Sequence, residues 1–385
     1  MIRAALSRLW GRPEARALSD FPGLPIGTSS GQAVSSHTAE NLAAVLACVN
    51  AIASAAGSLP AYVYRSVDGR RQEAPAHPVA RLTRQPNERQ TWPDFVEWLL
   101  AQALLHGNAL AEIVLDGAGR PVALTPIPWG NVTPVLLPSG RLAFDVVAWQ
   151  GPFGGTGRSR RLLPGEFLHL KDRSDDGLIG RSRISRAREV IGTAQALQEW
   201  SGSLWRNQAT PSGAIKVSGT MGADARARLG AALREGFAGP QNARKVLILE
   251  SGAEWQALSV SPEDAEVLAS RRFTVEELCR LYQVPPPIVQ DLSHGTFTNS
   301  REAGRWFAQF TLAPWVRKIE AEFARSVFTD PAFALEVDMS ALMRGDAETR
   351  WQSHKIAVDA KILTPNEVRE IEGFNPMPEG EGAAA

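Results

Sequence analysis

Three consecutive prolines, Pro285 to Pro287, sit inside the stretch QVPPPIVQDLSHGTFTNS at residues 283–300. No helix continues through such a run. Each proline lacks a backbone donor and pushes the residue before it out of the helical region. Yet both flanks carry helical periodicity. Upstream, Leu268, Val275, Leu278, Cys279 and Tyr282 form an apolar stripe behind a strong start signal: Ser261 as N-cap, Pro262 first and Asp264 third. Downstream, Asn299 and Glu302 have capping-box spacing. Ala303, Trp306, Phe307, Phe310, Trp315, Ile319, Phe323 and Val327 follow at helical intervals, with Pro314 expected to kink the run. The chain must therefore hold two long helices joined by a loop that is stiff at its entry, polar beyond it, and able to bend at Gly295.

The rest of the chain supplies a setting for that hinge. A helix is predicted over 38–57, with Val45, Cys48, Val49, Ile52 and Ala56 on one side. AYVYRSVDGRRQEA reads as a hairpin turning at Asp68-Gly69. TWPDFVEWLLAQALLHG reads as a helix with Thr91 as N-cap, Asp94 as its capping-box partner and Gly107 as terminator. Residues 109–148 alternate as an antiparallel meander, and EFLHL (166–170) adds a strand. From Ser182 to about Asn207 one long helix is expected, ~40 Å at 1.5 Å per residue. Val190, Leu197 and Leu204 are heptad-spaced within it, and Gly192, Ser201, Gly202 and Ser203 would weaken it and admit a close neighbour. Residues 210–260 read as a small mixed module, FALEVDMSAL as a strand, and DAETRWQSHKIAVDAK and LTPNEVREIEG as helices, the latter capped by Thr364, Pro365 and Glu367. Residues 1–36 read as a flexible arm.

Composition narrows the chemistry. With 385 residues, two or three packed units are expected. Lys plus Arg and Asp plus Glu both number 41, which argues against gripping nucleic acid through phosphate neutralisation, though not against letting it slide past. Cys48 and Cys279 read as buried free thiols in a reducing compartment. No apolar run approaches ~20 residues, so no membrane span is expected, and the N-terminus lacks the pattern of a secretion signal. The glycine cluster GPFGGTGRSR (151–160) precedes a strand rather than a helix and reads as a connection, not a phosphate loop. The six histidines show no metal-ligand spacing. Asp172, Asp175 and Asp176 cluster without a calcium-loop pattern, and no Gly-x-Ser-x-Gly elbow occurs. The aromatic run Trp306, Phe307, Phe310, Trp315 has the spacing of a buried helix contact rather than a base-stacking platform. What remains is a scaffold with no catalytic constellation, catalytic residue or cofactor site.

The order of HPVARLTRQPN (77–87) before TWPDF, LLHGNALAEIVLDGAGRPVALTPIP (104–128), EFLHLKDRSDDGLIGRSRI (166–184), ATPSGAIKV (209–217), and LYQVPPPIV with TFTNSREAGRWFAQFTLAPWVRKIE (281–320) resembles the portal proteins of long-tailed bacteriophages, also found in prophages and gene transfer agents. The likeness runs over roughly residues 40–375. It implies an α+β portal fold: a flexible arm (1–36), a mixed α/β wing (37–181 with 329–342), a stem helix (182–209), a small α/β clip (210–260), a second stem helix (261–282), a tunnel loop (283–299), a long kinked wing helix (300–328) and a short helical crown with the C-terminal tail (343–385). It implies a non-enzymatic ring, a dodecamer by family habit, at one capsid vertex of the virion, assembled in the bacterial host cytoplasm. Double-stranded DNA would pass through it during packaging and ejection. The partners implied are further copies of the chain, the terminase large subunit, the head–tail adaptor and the major capsid protein. Gln290, Asp291, Ser293, His294, Thr296 and Asn299 would face the DNA, a polar set without Lys or Arg that suits sliding. Val190, Leu197, Leu204, Leu268 and Val275 would pack subunits together in the stem. Arg226, Arg234, Glu235 and Asn242 would form the clip's docking surface. The alternatives are a metal-dependent DNA-processing enzyme built on Asp172, Asp175 and Asp176, or another structural virion component such as a tail protein.

Overall fold

The computed structural model describes residues 26–67, 69–147, 159–207, 213–217, 222, 224, 253–257, 262–292, 297–340, 347–372, 374–375 and 377. The chain opens with a two-stranded hairpin, β1 (Ile26–Gly27) and β2 (Ala33–Val34), then α1 (Ser36–Glu40) and α2 (Ala43–Gly57). The end of the expected flexible arm is thus ordered. Its hairpin docks on a long helix through Ser29, whose backbone and hydroxyl both donate to Glu189, and through Gln32, which donates to Glu199. Gly192 makes this approach possible: a Cβ there would lie 2.6 Å from the Thr28 hydroxyl. The small-residue signal in that helix therefore marks a docking point, filled by a side chain.

β3 (Ala61–Val67) and β4 (Arg70–Glu73) form the expected hairpin. α3 (Pro78–Leu82) leads to α4 (Trp92–His106), whose capping box between Thr91 and Asp94 and left-handed cap at Gly107 are as predicted. α2 and α4 pack along their lengths, burying Val45, Cys48, Val49 and Ile52 against Phe95, Leu99, Leu100 and Ala103. Burial of such side chains, at ~25 cal/mol per Å² of apolar surface, makes this pair the centre of the main core.

β5 (Asn108–Leu115) pairs with β6 (Pro121–Ile127), and β7 (Val132–Leu136) with β8 (Leu142–Val146). The expected single meander is instead two sheets. β5 lies between β6 and β10 (Phe167–Lys171), while β8 lies between β7 and β9 (Arg160–Leu162). A 3₁₀ turn at Trp129–Asn131 divides them. Trp129 is buried against Phe144 and His169, and satisfying that large ring turns the chain out of the first sheet into the second.

After β10 come α5 (Arg183–Arg186) and α6 (Arg188–Asn207). The expected continuous helix from Ser182 is broken at Ala187, although Ser182 does cap its start. β11 (Gly213–Val217) pairs antiparallel with β12 (Ala253–Ala257). α7 (Pro262–Tyr282) begins and ends where the sequence placed it and packs on α6. Beyond the loop, α8 (Phe297–Trp306), a π-helical turn (Phe307–Leu312) and α9 (Ala313–Ser326) run on without a gap. Pro314 is accommodated by this widened turn. The ring would otherwise press on a carbonyl one turn back, and the extra residue per turn relieves the clash. α8 starts two residues earlier than its predicted cap, so Asn299 lies inside the helix. β13 (Phe333–Val337) returns to pair with β3. α10 (Ala347–Asp359) and α11 (Pro365–Ile371), with its Thr364–Glu367 capping box, close the described chain. Among the described residues no helix is long and apolar enough to cross a membrane.

Candidate functional site

The proline loop is anchored far more firmly than its sequence suggests. The Val284 N–H donates to Cys279 O at 2.9 Å, closing the end of α7 around left-handed Gln283. Pro286–Val289 then form a 3₁₀ turn, closed by Ile288 N–H to Pro285 O at 2.9 Å and Asp291 N–H to Pro286 O at 3.0 Å. Val284 is buried, and Ile288 and Val289 pack on the main core. The loop's first half is thus an apolar anchor. Its polar part begins at Gln290, which takes a left-handed conformation (φ 65°) and turns the chain outward. Gln283 is also left-handed (φ 60°), and its carbonyl accepts from the hydroxyl of buried Thr311 in the π-turn. That bond ties the loop's root to the helix on its far side. Leu292 stands 62% exposed at the loop's outer end, an apolar side chain the polar reading passed over.

Beneath the root, four segments meet on a buried ion pair. Arg183 Nε donates to Asp172 Oδ2 at 2.6 Å, with side chains only 15% and 8% exposed. Arg183 also donates to Leu281 O at 3.2 Å and lies 5.8 Å over the rings of both Tyr282 and Trp315. Lys318 Nζ lies 4.7 Å from the Trp315 ring centroid and donates to Lys171 O at 2.9 Å. Burial lowers the pKa of Lys318, with Arg183 and Lys171 adding to the effect and Asp172 opposing it. The end of β10, α5, the end of α7 and the start of α9 are therefore held by one charged and aromatic cluster. Its members are scattered between 171 and 318, and no local pattern announces it.

A second knot lies alongside. Asn108 donates to Gly180 O at 2.7 Å, and its Oδ1 accepts from Gly180 N–H at 2.8 Å and from His169 Nε2 at 3.0 Å. A Cβ on Gly180 would come within 2.0 Å of Gly107 O, so only glycine fits this crossing. His169 is buried and stacked on Trp129, and burial pushes its pKa down to about 3, keeping the ring neutral.

The three carboxylates of the enzymatic alternative are separately engaged. Asp172 holds Arg183. Asp175 pairs with Arg186 at 2.5 Å and Arg181 at 3.3 Å, and the Arg186 hydrogen bond chiefly lowers its pKa. Asp176 Oδ1 accepts from Ser174 Oγ and from the N–H groups of Leu178 and Ile179. Burial raises the Asp176 pKa, but these hydrogen bonds outweigh it and leave the group acidic. Among the described residues no three His, Cys, Asp or Glu side chains are grouped to hold a metal. The two buried thiols, Cys48 of α2 and Cys279 of α7, hydrogen-bond each other, which with burial raises the pKa of Cys48. Each thiol was expected to be buried; their meeting was not legible.

The family model described as "Phage portal protein" matches residues 43–373. The chain belongs to the phage portal protein family. Among curated relatives, the probable portal protein of Streptomyces phage phiC31 is 29% identical over 374 residues, covering 92% of this chain and 79% of the relative. Among solved structures, a chain from the neck of an empty gene transfer agent particle, computed with C6 symmetry, superposes with a TM-score of 0.64 at 25% identity, covering 86% of this chain and 90% of that one. A chain from the neck of a native particle, computed with C12 symmetry, gives 0.60 at 22% identity, covering 94% and 98%. The α+β portal fold anticipated from the sequence is the fold of this chain.

In this portal chain the candidate residues are spread unevenly. Gln290 and Asp291 lie just past the anchored half of the loop, and Asn299 lies in α8; Ser293, His294 and Thr296 fall outside the described residues. Of the stem set, Val190 on α6 and Val275 on α7 are half-buried against the chain's own main core, and Leu197 is half-buried. Leu204 and Leu268 lie on α6 and α7, but their side chains fall outside the description, as do Arg226, Arg234, Glu235 and Asn242 altogether. The aromatic run divides. Phe307 and Trp315 are buried as expected, whereas Trp306 and Phe310 are each 60% exposed. The π-turn inserts a residue between Trp306 and Trp315 and so shifts the helical phase from one to the other.

Proposed function

We propose that this chain assembles into a closed dodecameric ring at one capsid vertex of the virion, forming the conduit through which double-stranded DNA is packaged and ejected. The observation that carries the reading is the α7–loop–α8 unit, Pro262 to Trp306, within a chain whose portal-family match runs from 43 to 373. The twelvefold and sixfold symmetries of the neck particles holding its structural relatives support the ring.

In this reading α6 and α7 are the stem, the β11–β12 module belongs to the clip, the sheets around α2 and α4 are the wing, and α10 and α11 are the crown. The segment 283–299 is the tunnel loop. Its root is held, because Ile288, Val289 and the Thr311 hydrogen bond tie it to the core. A polar contact without Lys or Arg touches DNA without neutralising its phosphates, which favours passage over retention. Exposed Trp306 and Phe310 fit burial against a neighbouring copy. The terminase large subunit and head–tail adaptor would dock on the clip, and the major capsid protein on the wing. Assembly would take place in the host cytoplasm, and the role is structural rather than catalytic.

Native mass spectrometry and negative-stain imaging of the purified chain test this. A ring with a central hole is expected. A monodisperse monomer at high concentration, with metal-dependent cleavage of DNA, would instead favour the enzymatic alternative; an extended tube would favour a tail component.

A further inference from the structure

Under the loop's root, the same charged cluster walls a cleft of about 290 Å³. Its lining carries Arg173, Arg183, Arg186 and Lys318 against a single carboxylate, Asp172. That carboxylate is already committed to Arg183. Arg186 spends one nitrogen on Asp175 and on Arg173 O, yet its Nε–H is buried with no acceptor. Lys318 uses one of three ammonium protons on Lys171 O. Arg173 is exposed at the rim, and the described residues offer its guanidinium no partner. Trp315 supplies a flat wall. The cleft thus concentrates positive charge and unspent donors in a chain whose formal net charge is zero. A buried donor without an acceptor is uncommon in a folded protein and marks a place where something else accepts.

We propose that this cleft is an oxyanion-binding site that takes one carboxylate or phosphate group. Convergent guanidinium and ammonium donors beside an aromatic face recognise that chemistry. The cleft's volume suits a single anionic group and not a nucleic-acid duplex, so two sources fit: a free small anion, or an acidic side chain from a neighbouring copy. The second source rests on the ring reading; the site does not. Because the cleft joins the end of β10, α5, the end of α7 and α9, an occupant would brace the root of the loop against both long helices.

Isothermal titration of inorganic phosphate into the purified full chain, dissociated and assembled, tests the proposal. Arg173→Gln and Lys318→Gln are compared with wild type, and Arg120→Gln, remote on a β-turn, serves as control. Arg173 is exposed and unpartnered, so its variant should fold even if the Lys318 variant does not. Saturable binding of one phosphate per chain is expected, weakened at least about fivefold by either cleft variant and unchanged by the control. Binding by dissociated chains alone, with Arg173→Gln also shifting assembly to higher concentration, identifies the neighbour's carboxylate as occupant. Equal binding by both forms identifies a free anion. No saturable binding by either form, with unchanged assembly of the variants, overturns the proposal. So does a short DNA duplex that displaces phosphate, since a nucleic-acid backbone would then be the ligand.

Discussion

Replacing Asp172 with alanine should weaken the chain more than any other single charge removal at the junction. The Asp172–Arg183 pair is close, at 2.6 Å, and both side chains are well below one-fifth exposed. Truncating Asp172 leaves the Arg183 guanidinium in place between Tyr282 and Trp315, with only the Leu281 carbonyl to accept from it. It also removes the acceptor of the Arg173 N–H. Removing one partner of a buried ion pair costs ~3–5 kcal/mol, because the remaining charge stays desolvated. The pair is not wholly sealed from water, so the lower end, ~3 kcal/mol, is expected. The double variant Asp172→Leu, Arg183→Met removes both charges and should recover ~1–3 kcal/mol of that loss. Guanidinium denaturation of both variants and the wild type measures the difference. Hydrogen exchange adds a local readout: residues 281–284 should exchange faster in the single variant, because Arg183 holds the end of α7. A single-variant loss below ~1 kcal/mol, or a double variant no better than the single, would refute the argument that desolvated charge dominates this junction.

His169 gives a pH signature. Its folded pKa is depressed to about 3 by burial, while an unfolded histidine titrates near 6.5. The unfolded state therefore binds the extra proton first, and the stabilisation from keeping the ring neutral is complete above about pH 6.5 and is lost as pH falls from there towards 3, at no more than ~1.4 kcal/mol per pH unit. Denaturation midpoints between pH 7 and 5 should show a slope that His169→Gln flattens; an equal slope in the variant would exclude His169 as the source. Thr91→Ala removes the α4 cap and should cost ~1 kcal/mol, read from thermal unfolding. In the wild type the Thr91 hydrogen bonds hold the Asp94 carboxyl below its usual range, so this cap's charged share persists above about pH 4 and fades as pH falls through the lower folded value. Lysines at two loop positions, Ser293→Lys with Thr296→Lys, should leave rings intact but slow DNA packaging, most at low salt. Packaging at the wild-type rate in low salt would count against that loop touching DNA.

The local structure was written plainly in the chain. Thr91, Asp94 and Gly107 delimit α4, Pro262 and the proline run delimit α7, and Thr364 to Glu367 open α11, because caps and prolines act within one helical turn. The proline run also forced a break between two long helices. Family membership was legible in the order of segments. Contacts across long sequence separations were not. Asp172 meets Arg183, and Arg183 meets Trp315, only once β10, α5, α7 and α9 converge. Cys48 meets Cys279 only because α2 lies on α7. The single meander became two sheets because one large ring, Trp129, needed a buried partner, and periodicity cannot report which partner a ring will find. Likewise the loop's entry looked merely stiff, yet Ile288 and Val289 anchor it, since whether an apolar side chain points inward depends on what stands opposite. Short-range sterics and hydrogen bonding are properties of neighbouring residues, and the sequence determines them alone. Burial and charge pairing belong to the space between elements, and tertiary packing decided them here.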